Sequence, residues 1–510
     1  MSGPEIVLRG GRVIDPESGF DAVADVAISE GRIAQVGAGL PADVLDGRPA
    51  DVPGGLPAGP ADVDVAGLVV TAGFVDLHSH VTDLAGMRLQ ALDGVTTALE
   101  LEAGATPVAA AYRAAGADGR PTNYGFAASW AQARMAEVAG LAPGGALAGF
   151  LSRLGDPRWQ RPADAAQLSA LLSRMAADLA DGALGIGVLL GYAPAIEEGE
   201  YLRVAALAAE AGAPTFTHAR DLIEMVPHAA IDGAEEIVRA AGETGAHMHY
   251  CHVNSTSQRH IDRVLGLVGR AQAAGARIST EAYPYGSGMT AIGAAFLAPE
   301  RLRERGLVPS SLTYAPTGER VATEARLVEL RQADPGGLAI IELLNEDDPA
   351  DRGLLMRSLT FPGAVVASDA MPLTWTGPGP KTDPAAWPPT ATAITHPRTA
   401  GTFSRAVRLL TSGTEPLSLA RALSKCSLEP ARLLEDRVPA MRRKGRLQVN
   451  ADADVLVFDP AALADRATYA NSTRPSAGIR HVLVNGTFVV RDGAIVAEAR
   501  PGRPVRAQPG

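Results

Sequence analysis

The sequence predicts an α/β fold: a TIM-like (β/α)8 barrel, a small β-sandwich domain built from both chain ends, and an insertion after the seventh barrel strand. Three observations predict it. Apolar, strand-like runs alternate eight times with Ala-rich or amphipathic stretches, the pattern of a parallel barrel. Short strands bounded by Gly turns occupy both ends of the chain, and neither end has the apolar surface for its own core. The gap from 284 to 363 is far longer than an ordinary βα loop. The implied division is 1–66 with 440–510 for the β domain, 67–439 for the barrel, and 290–360 for the inserted subdomain.

The N-terminal strands are Ile6-Val7-Leu8, Arg12 to Asp15, Ala24 to Ile28 and Arg32 to Val36, with turns at Gly10-Gly11 and Glu30-Gly31. Residues 51–62 form a Pro/Gly loop. The barrel strands are 74–80, 94–102, 122–129, 184–190, 214–220, 246–253, 277–283 and 364–370. Helical stretches between them include 167–180, 199–212, 231–243 and 258–274. Within the insertion, Leu338 to Leu344 reads as a further strand outside the barrel or as a helix. Gly377 to Pro397 reads as a long ordered loop over the barrel mouth, or a lid. Strands return at Asp454 to Asp459, Val482 to Val484 and Thr487 to Val490.

Size and composition narrow the function. A chain of 510 residues, 46% hydrophobic, is globular and holds a large core. A net charge of −11 argues against a nucleic-acid binder and against a protein that adheres to anionic membranes. Two cysteines, Cys251 and Cys426, give no disulfide framework and suit a reducing interior. With no signal-peptide pattern and no apolar run long enough to span a bilayer, a soluble cytoplasmic setting is the expectation. Whether the chain forms a homo-oligomer stays open.

In such barrels the chemistry sits at the C-terminal ends of the strands. In Phe74-Val75-Asp76-Leu77-His78-Ser79-His80 the apolar positions alternate, so His78 and His80 face one way, roughly 7 Å apart. The second strand ends in Glu100 and Glu102, the fifth in His218, the sixth in His252, and the eighth in Asp369. Four of the ten histidines and these acids converge on one mouth. Histidine and carboxylate donors suit Zn²⁺ and similar ions, one or two of them. A bound metal would polarise a carbonyl and acidify a water, and Asp369 is placed to shuttle its proton. Glu100 and Glu102 face the same way; Glu102, nearer the strand end, is preferred as ligand. His247 and His249 read as strand or surface residues, and His228 and His260 carry no signal. Cys251, next to His252, should face away into the core.

The landmarks GFVDLHSH (73–80), GVTT (94–97), THAR (217–220), CHVN (251–254), EAYPYGSGMT (281–290), ASDA (367–370), HPRTAGTFSR (396–405) and KGRLQVNADADVLVFDP (444–460) come in an order that resembles the amidohydrolase superfamily. Within it the chain resembles the D-aminoacylase (N-acyl-D-amino-acid deacylase) branch, over nearly its whole length. The resemblance implies a metal-bearing barrel, a β domain from both ends and an insertion after the seventh strand. It implies that His218 and His252 hold a tight zinc, and that His78 and His80 hold a weaker or vacant second position. Asp369 would be general base and acid; Tyr283, Ser287 and Arg398 would contact substrate.

Two departures matter. The branch carries a cysteine ligand after the second strand, where this chain reads Glu102-Ala103-Gly104; a carboxylate can bridge two cations in its place. The branch's lysine after the sixth-strand histidine is Asn254 here, which removes a cation from the substrate-binding side unless Arg220 or Arg398 compensates. The expected function is therefore a metal-dependent hydrolase of a small-molecule C–N amide bond, with water attacking the carbonyl and Tyr283 helping to stabilise the oxyanion. A cyclic amide, imide or lactam hydrolase is the alternative, and a non-catalytic binding scaffold the third reading.

Overall fold

The structure, a computed structural model, describes residues 5–40, 61–377, 383, 385–413 and 415–508. Eight parallel strands form the barrel in chain order: Phe74–Asp76, Val95–Ala105, Asn123–Ser129, Ile186–Leu189, Thr215–His218, Met248–Tyr250, Ile278–Ala282 and Ala364–Val366. Each of the eight expected strands is present. The ring closes just beyond the strand ends, where His80 N–H donates to the Ala370 carbonyl at 2.8 Å and Ala370 N–H to that of His78 at 3.3 Å.

The helices between the strands start and stop where their sequence directs. Asp164 caps Ala165–Ala180 in a reciprocal pair with Gln167. Asp232 accepts from the first-turn amides of Gly233–Thr244, which ends at the left-handed Gly245. Alternation along each barrel strand sends one set of side chains to the helices and the other into the lumen. Met248 and Tyr250 join the large cluster beneath the helices. Phe216 and Cys251 join a separate cluster that Leu434, Val438 and Met441 pack against.

Both chain ends enter one nine-stranded sheet. Its two halves meet where Val69–Ala72 pairs antiparallel with Val455–Phe458. Ile6–Asp15 then pairs with Phe20–Ser29, and Ile479–Val484 with Thr487–Arg491. Of the Pro/Gly loop expected at 51–62, residues 51–60 lie outside the described residues, and Ala61–Asp64 forms a strand parallel to Ile6–Asp15. The run from Leu338 is a strand: Leu338–Glu342 pairs with Ser287–Ala291 and Leu312–Tyr314 in a small antiparallel sheet outside the barrel. Helix Pro349–Thr360 packs on the seventh and eighth barrel strands as their crossover, so the inserted sheet starts and ends earlier than 290–360. Part of the Pro-rich stretch, 378–382 and 384, lies outside the described residues; its two arms pair through Thr374–Trp375 and Ala393–Ile394.

Asp76 ties the barrel seam. Its fully buried carboxylate accepts from the His78 backbone N–H at 3.1 Å, the Ser368 N–H at 3.0 Å, Gln90 Nε2 at 3.1 Å and the Ser368 hydroxyl. Burial pushes its carboxyl up to about 7, while the Ser368 and His78 hydrogen bonds favour the charged form. Asp76→Ala would leave buried donors of Ser368 and Gln90 without an acceptor, at a cost of about 3 kcal/mol. Denaturant unfolding of the variant should show that loss, and a wild-type midpoint would mean that the seam does not depend on this carboxylate.

Candidate metal centre and active site

The strand ends bring six of the sequence-identified residues together: His78, His80, Glu102, His218, His252 and Asp369. Glu102 lies at the centre. Its Oε1 is 2.7 Å from His252 Nε2 and 3.1 Å from His218 Nδ1. Its Oε2 is 3.3 Å from His78 Nε2 and 3.6 Å from His80 Nε2. One carboxylate thus faces two pairs of imidazoles with different oxygens. Asp369 Oδ1 completes the second pair, 3.4 Å from both His78 Nε2 and His80 Nε2. His78 and His80 with Asp369, and His78 and His252 with Glu102, each bring three donor atoms within 4.8 Å of one another, and His218 meets the same Glu102 oxygen as His252, so both pairs can hold a divalent ion beside a carboxylate.

Two tight approaches are made by glycine. A side chain on Gly187 would stand 2.2 Å from the Glu102 carbonyl, and one on Gly191 2.7 Å from the His218 ring. His252 and Asp369 both have left-handed backbones, φ 31° and 48°, a conformation uncommon for residues other than glycine. Each sits just past a strand end, and the turn aims its side chain at Glu102 or the first-strand histidines.

The imidazoles are oriented from behind. Glu100 lies at 2.8 Å and 3.0 Å from His80 Nδ1, and Glu281 contacts His78 Nδ1. A carboxylate on Nδ1 fixes the tautomer and leaves Nε2 as the donor to a metal. His252 Nδ1 rests on Ser255 Oγ at 3.1 Å. His218 offers Nδ1 to Glu102, and its ring stacks on Phe296 with centroids 5.5 Å apart. The structure therefore separates the two glutamates: Glu102 stands among the imidazoles and Glu100 behind one of them.

Charge follows from this geometry. Burial works against a charged His78, yet Glu281, Glu102 and Asp369 hold it well above the ordinary imidazole range. Burial likewise opposes a charged His80, and Glu100 with Asp369 raises it. Burial would raise Asp369, but Arg398, His78 and His80 keep its carboxyl below the usual value. The donor set fits a cation, because protons on the histidines now balance carboxylates that a metal would balance instead.

Other expectations need correction or refinement. Cys251 is a core residue as expected, but it does not turn away from the site: its sulfur lies within 4.8 Å of donor atoms of His78 and Glu281. Burial, then Glu281, Glu102 and Asp369, push that thiol well up, so it stays protonated. Of the two alternatives for His249, the structure has the strand residue: it lies in Met248–Tyr250, fully buried, with Nε2 3.0 Å from Glu281. Arg220 lines the cavity with its charge already matched, Nε lying 2.8 Å from Glu236. Asn254 gives its amide to the Tyr283 and Tyr285 carbonyls at 3.2 Å and 3.4 Å. Ser287 is buried at the start of the inserted sheet, next to Gly288 of the cavity wall.

A cavity that opens to solvent lies over the site, with about 820 Å³ of empty space counted out into its open mouth. His80, Glu102, His218, His252, Tyr283 and Asp369 form its floor. One side of its wall is apolar, with Leu147 and Phe150 from the segment after the third strand and Phe296, Ile341 and Leu343 from the insertion, while Arg220, Asp221 and Arg305 line another part of it. Glu281 and Glu100 were not singled out as orienting groups; the signal was a buried-strand acid two residues before Tyr283, and one two before Glu102.

Fold and site together define a barrel hydrolase with a divalent-metal centre. The match to the amidohydrolase family model spans residues 62–490, and the chain belongs to that family. It is 29% identical to N-acyl-D-glutamate deacylase of Alcaligenes xylosoxydans xylosoxydans, over 98% of this chain and 96% of that one. It is 27% identical to D-aminoacylase of the same organism, over 97% and 96%. A solved N-acyl-D-glutamate deacylase from Bordetella bronchiseptica, complexed with zinc and a phosphonate inhibitor, superposes with a TM-score of 0.72 at 24% identity, covering 99% of this chain and all of that one. The chain is accordingly a metal-dependent hydrolase of non-peptide C–N bonds.

Raised histidines predict the pH dependence of metal uptake. Below their pKa values, which lie above the ordinary imidazole range, His78 and His80 carry protons that a metal must displace, so Zn²⁺ affinity at their position should rise as pH is raised through neutrality and binding there should release protons. Calorimetry in buffers of different ionisation enthalpy measures that release. Uptake independent of pH, with no protons released, would exclude these imidazoles as ligands.

Proposed function

We propose that this chain is a zinc-dependent deacylase of open-chain N-acyl-D-amino acids, acting in the cytoplasm. The observation that carries the substrate class is Arg398. Its guanidinium is 1% exposed, with Nη2 on Asp369 Oδ2 at 2.8 Å and on the Met289 carbonyl at 3.2 Å. Its face lies over the Tyr283 ring, 4.6 Å from the centroid, and its Nε and Nη1 have no hydrogen-bond partner among the described residues. Such buried donors are costly unless a ligand meets them. A side chain on Gly288 would come within 3.7 Å of Nη1 and 3.2 Å of the Tyr283 hydroxyl, so the space above this glycine is where both groups converge. A carboxylate bound there satisfies the arginine, whose guanidinium supplies the positive charge that Asn254 lacks. The names of the relatives favour the D configuration and an open amide over a cyclic one.

In this reading His78, His80, Glu102, His218 and His252 hold the metal, which supplies a Lewis acid and lowers the pKa of water. Asp369, ionised and steadied by Arg398, accepts a proton from the attacking water at Oδ1 and later delivers it to the leaving nitrogen. Burial pushes the Tyr283 phenol up to about 12, so it stays a donor to the carbonyl oxygen at neutral pH. The apolar wall excludes bulk water from the charge that develops.

Asp369→Asn should lower kcat about 10³-fold on a true substrate while zinc stays at the His218–His252 position; full turnover would remove Asp369 from the mechanism. A panel of N-acetyl-D-amino acids, their L enantiomers, the corresponding D-amino-acid amides and cyclic amides tests the substrate class. Turnover confined to D-acids with a free carboxylate is expected. Preference for the cyclic amides, or equal use of acids and amides, would overturn the assignment.

A further inference from the structure

A polar column runs through the barrel lumen beneath the site, where such barrels are normally packed with branched apolar side chains. It begins at His78 Nδ1, which contacts one oxygen of Glu281. The other oxygen of Glu281 lies 3.0 Å from His249 Nε2, and His249 Nδ1 lies 2.8 Å from Ser279 Oγ. Ser279 Oγ lies 2.9 Å from His247 Nε2. His247 stands at the opposite end of the barrel, beside Arg277, Asp436 and Arg437 in a surface cleft. His249, Glu281 and Ser279 are in adjacent strands, with His249 directly paired to Ser279.

Donors and acceptors along the column admit one consistent order when Glu281 is ionised and His249 carries a single ring proton. His247 Nε2–H donates to Ser279, whose hydroxyl donates to His249 Nδ1. His249 Nε2–H donates to Glu281, which accepts from His78 Nδ1–H and so leaves His78 Nε2 facing His80 and Asp369. The backbone N–H of His252 also donates to Glu281, at 3.2 Å. We infer that the buried series His247–Ser279–His249–Glu281 is a positioning device for His78, and that it sets metal affinity at the position made by His78, His80 and Asp369 but not at the one made by His218 and His252. His249 and Ser279 are positioning residues: they touch no ligand atom and act through Glu281. Burial, with His249 and Arg277, pushes His247 down to about 3, which keeps the far end neutral.

The inference rests on the two-position reading of the centre, and Co²⁺ titration of metal-free protein, followed by absorbance, tests both. Wild-type protein should take up two Co²⁺ per chain. His249→Phe should keep one position unchanged and weaken the other about 10–100-fold. His249→Gln, whose amide can still donate to Glu281, should recover part of the loss. Ser279→Ala, a small change that keeps Glu281, should weaken the same position about threefold. In a His80→Ala background, His249→Phe should add no further loss, because the two act on one position. Equal weakening of both positions, or none, would overturn the positioning role. A single Co²⁺ in the wild type at every concentration would overturn the two-position reading instead.

Discussion

The Glu102 carboxylate, set between four imidazoles, is the contact on which the rest of this site depends. Each of its oxygens serves a different pair of histidines. Without it, His78 and His80 on one side and His218 and His252 on the other would be two half-sites with no shared charge. Burying that carboxylate is unfavourable in isolation, and protons on His78 and His80, or a cation between the imidazoles, offset it. The second strand can deliver the carboxylate because Gly187 leaves room beside its backbone. A carboxylate also makes a harder donor than the thiolate usual in the resembling branch, which favours oxygen-tolerant divalent ions and a shared, bridging mode.

Around this centre the barrel supplies rigidity and the appended parts supply shape. Asp76 joins the first and eighth strands, so the two histidines that follow it are held to the strand that carries Asp369. The sheet from the chain ends lies outside the chemistry, whereas the insertion and the segment after the third strand form the apolar wall. In the proposed function Arg398 connects the two tasks of the site: it steadies Asp369 with one nitrogen and offers two others to a substrate carboxylate.

Much of this was legible in the chain. Apolar runs alternating with Ala-rich or amphipathic stretches located all eight barrel strands, and the polar residues at their ends named the six groups that converge. The choice between Glu100 and Glu102 was not legible. Strict alternation puts both on one face, but the second strand shifts register between Glu100 and Ala105, and the bend sends Glu100 behind His80 while Glu102 reaches the centre. Glu281, His249 and Ser279 were passed over for a different reason. A lumen filled by apolar side chains is the ordinary outcome, and only the cross-strand partnering of His249 with Ser279 brings these polar residues into one series. Cys251 was misplaced because its neighbour His252 lies past the strand end, where alternation no longer decides direction.

The most direct measurement is metal content and affinity in wild-type protein and in Glu102→Ala, each purified without added metal or chelator. If Glu102 bridges two positions, the wild type carries zinc and the variant loses affinity at both positions together. A variant that keeps the wild-type complement at the wild-type affinity would contradict the account and leave the histidines, with Glu100 or Asp369, as the whole of the metal site.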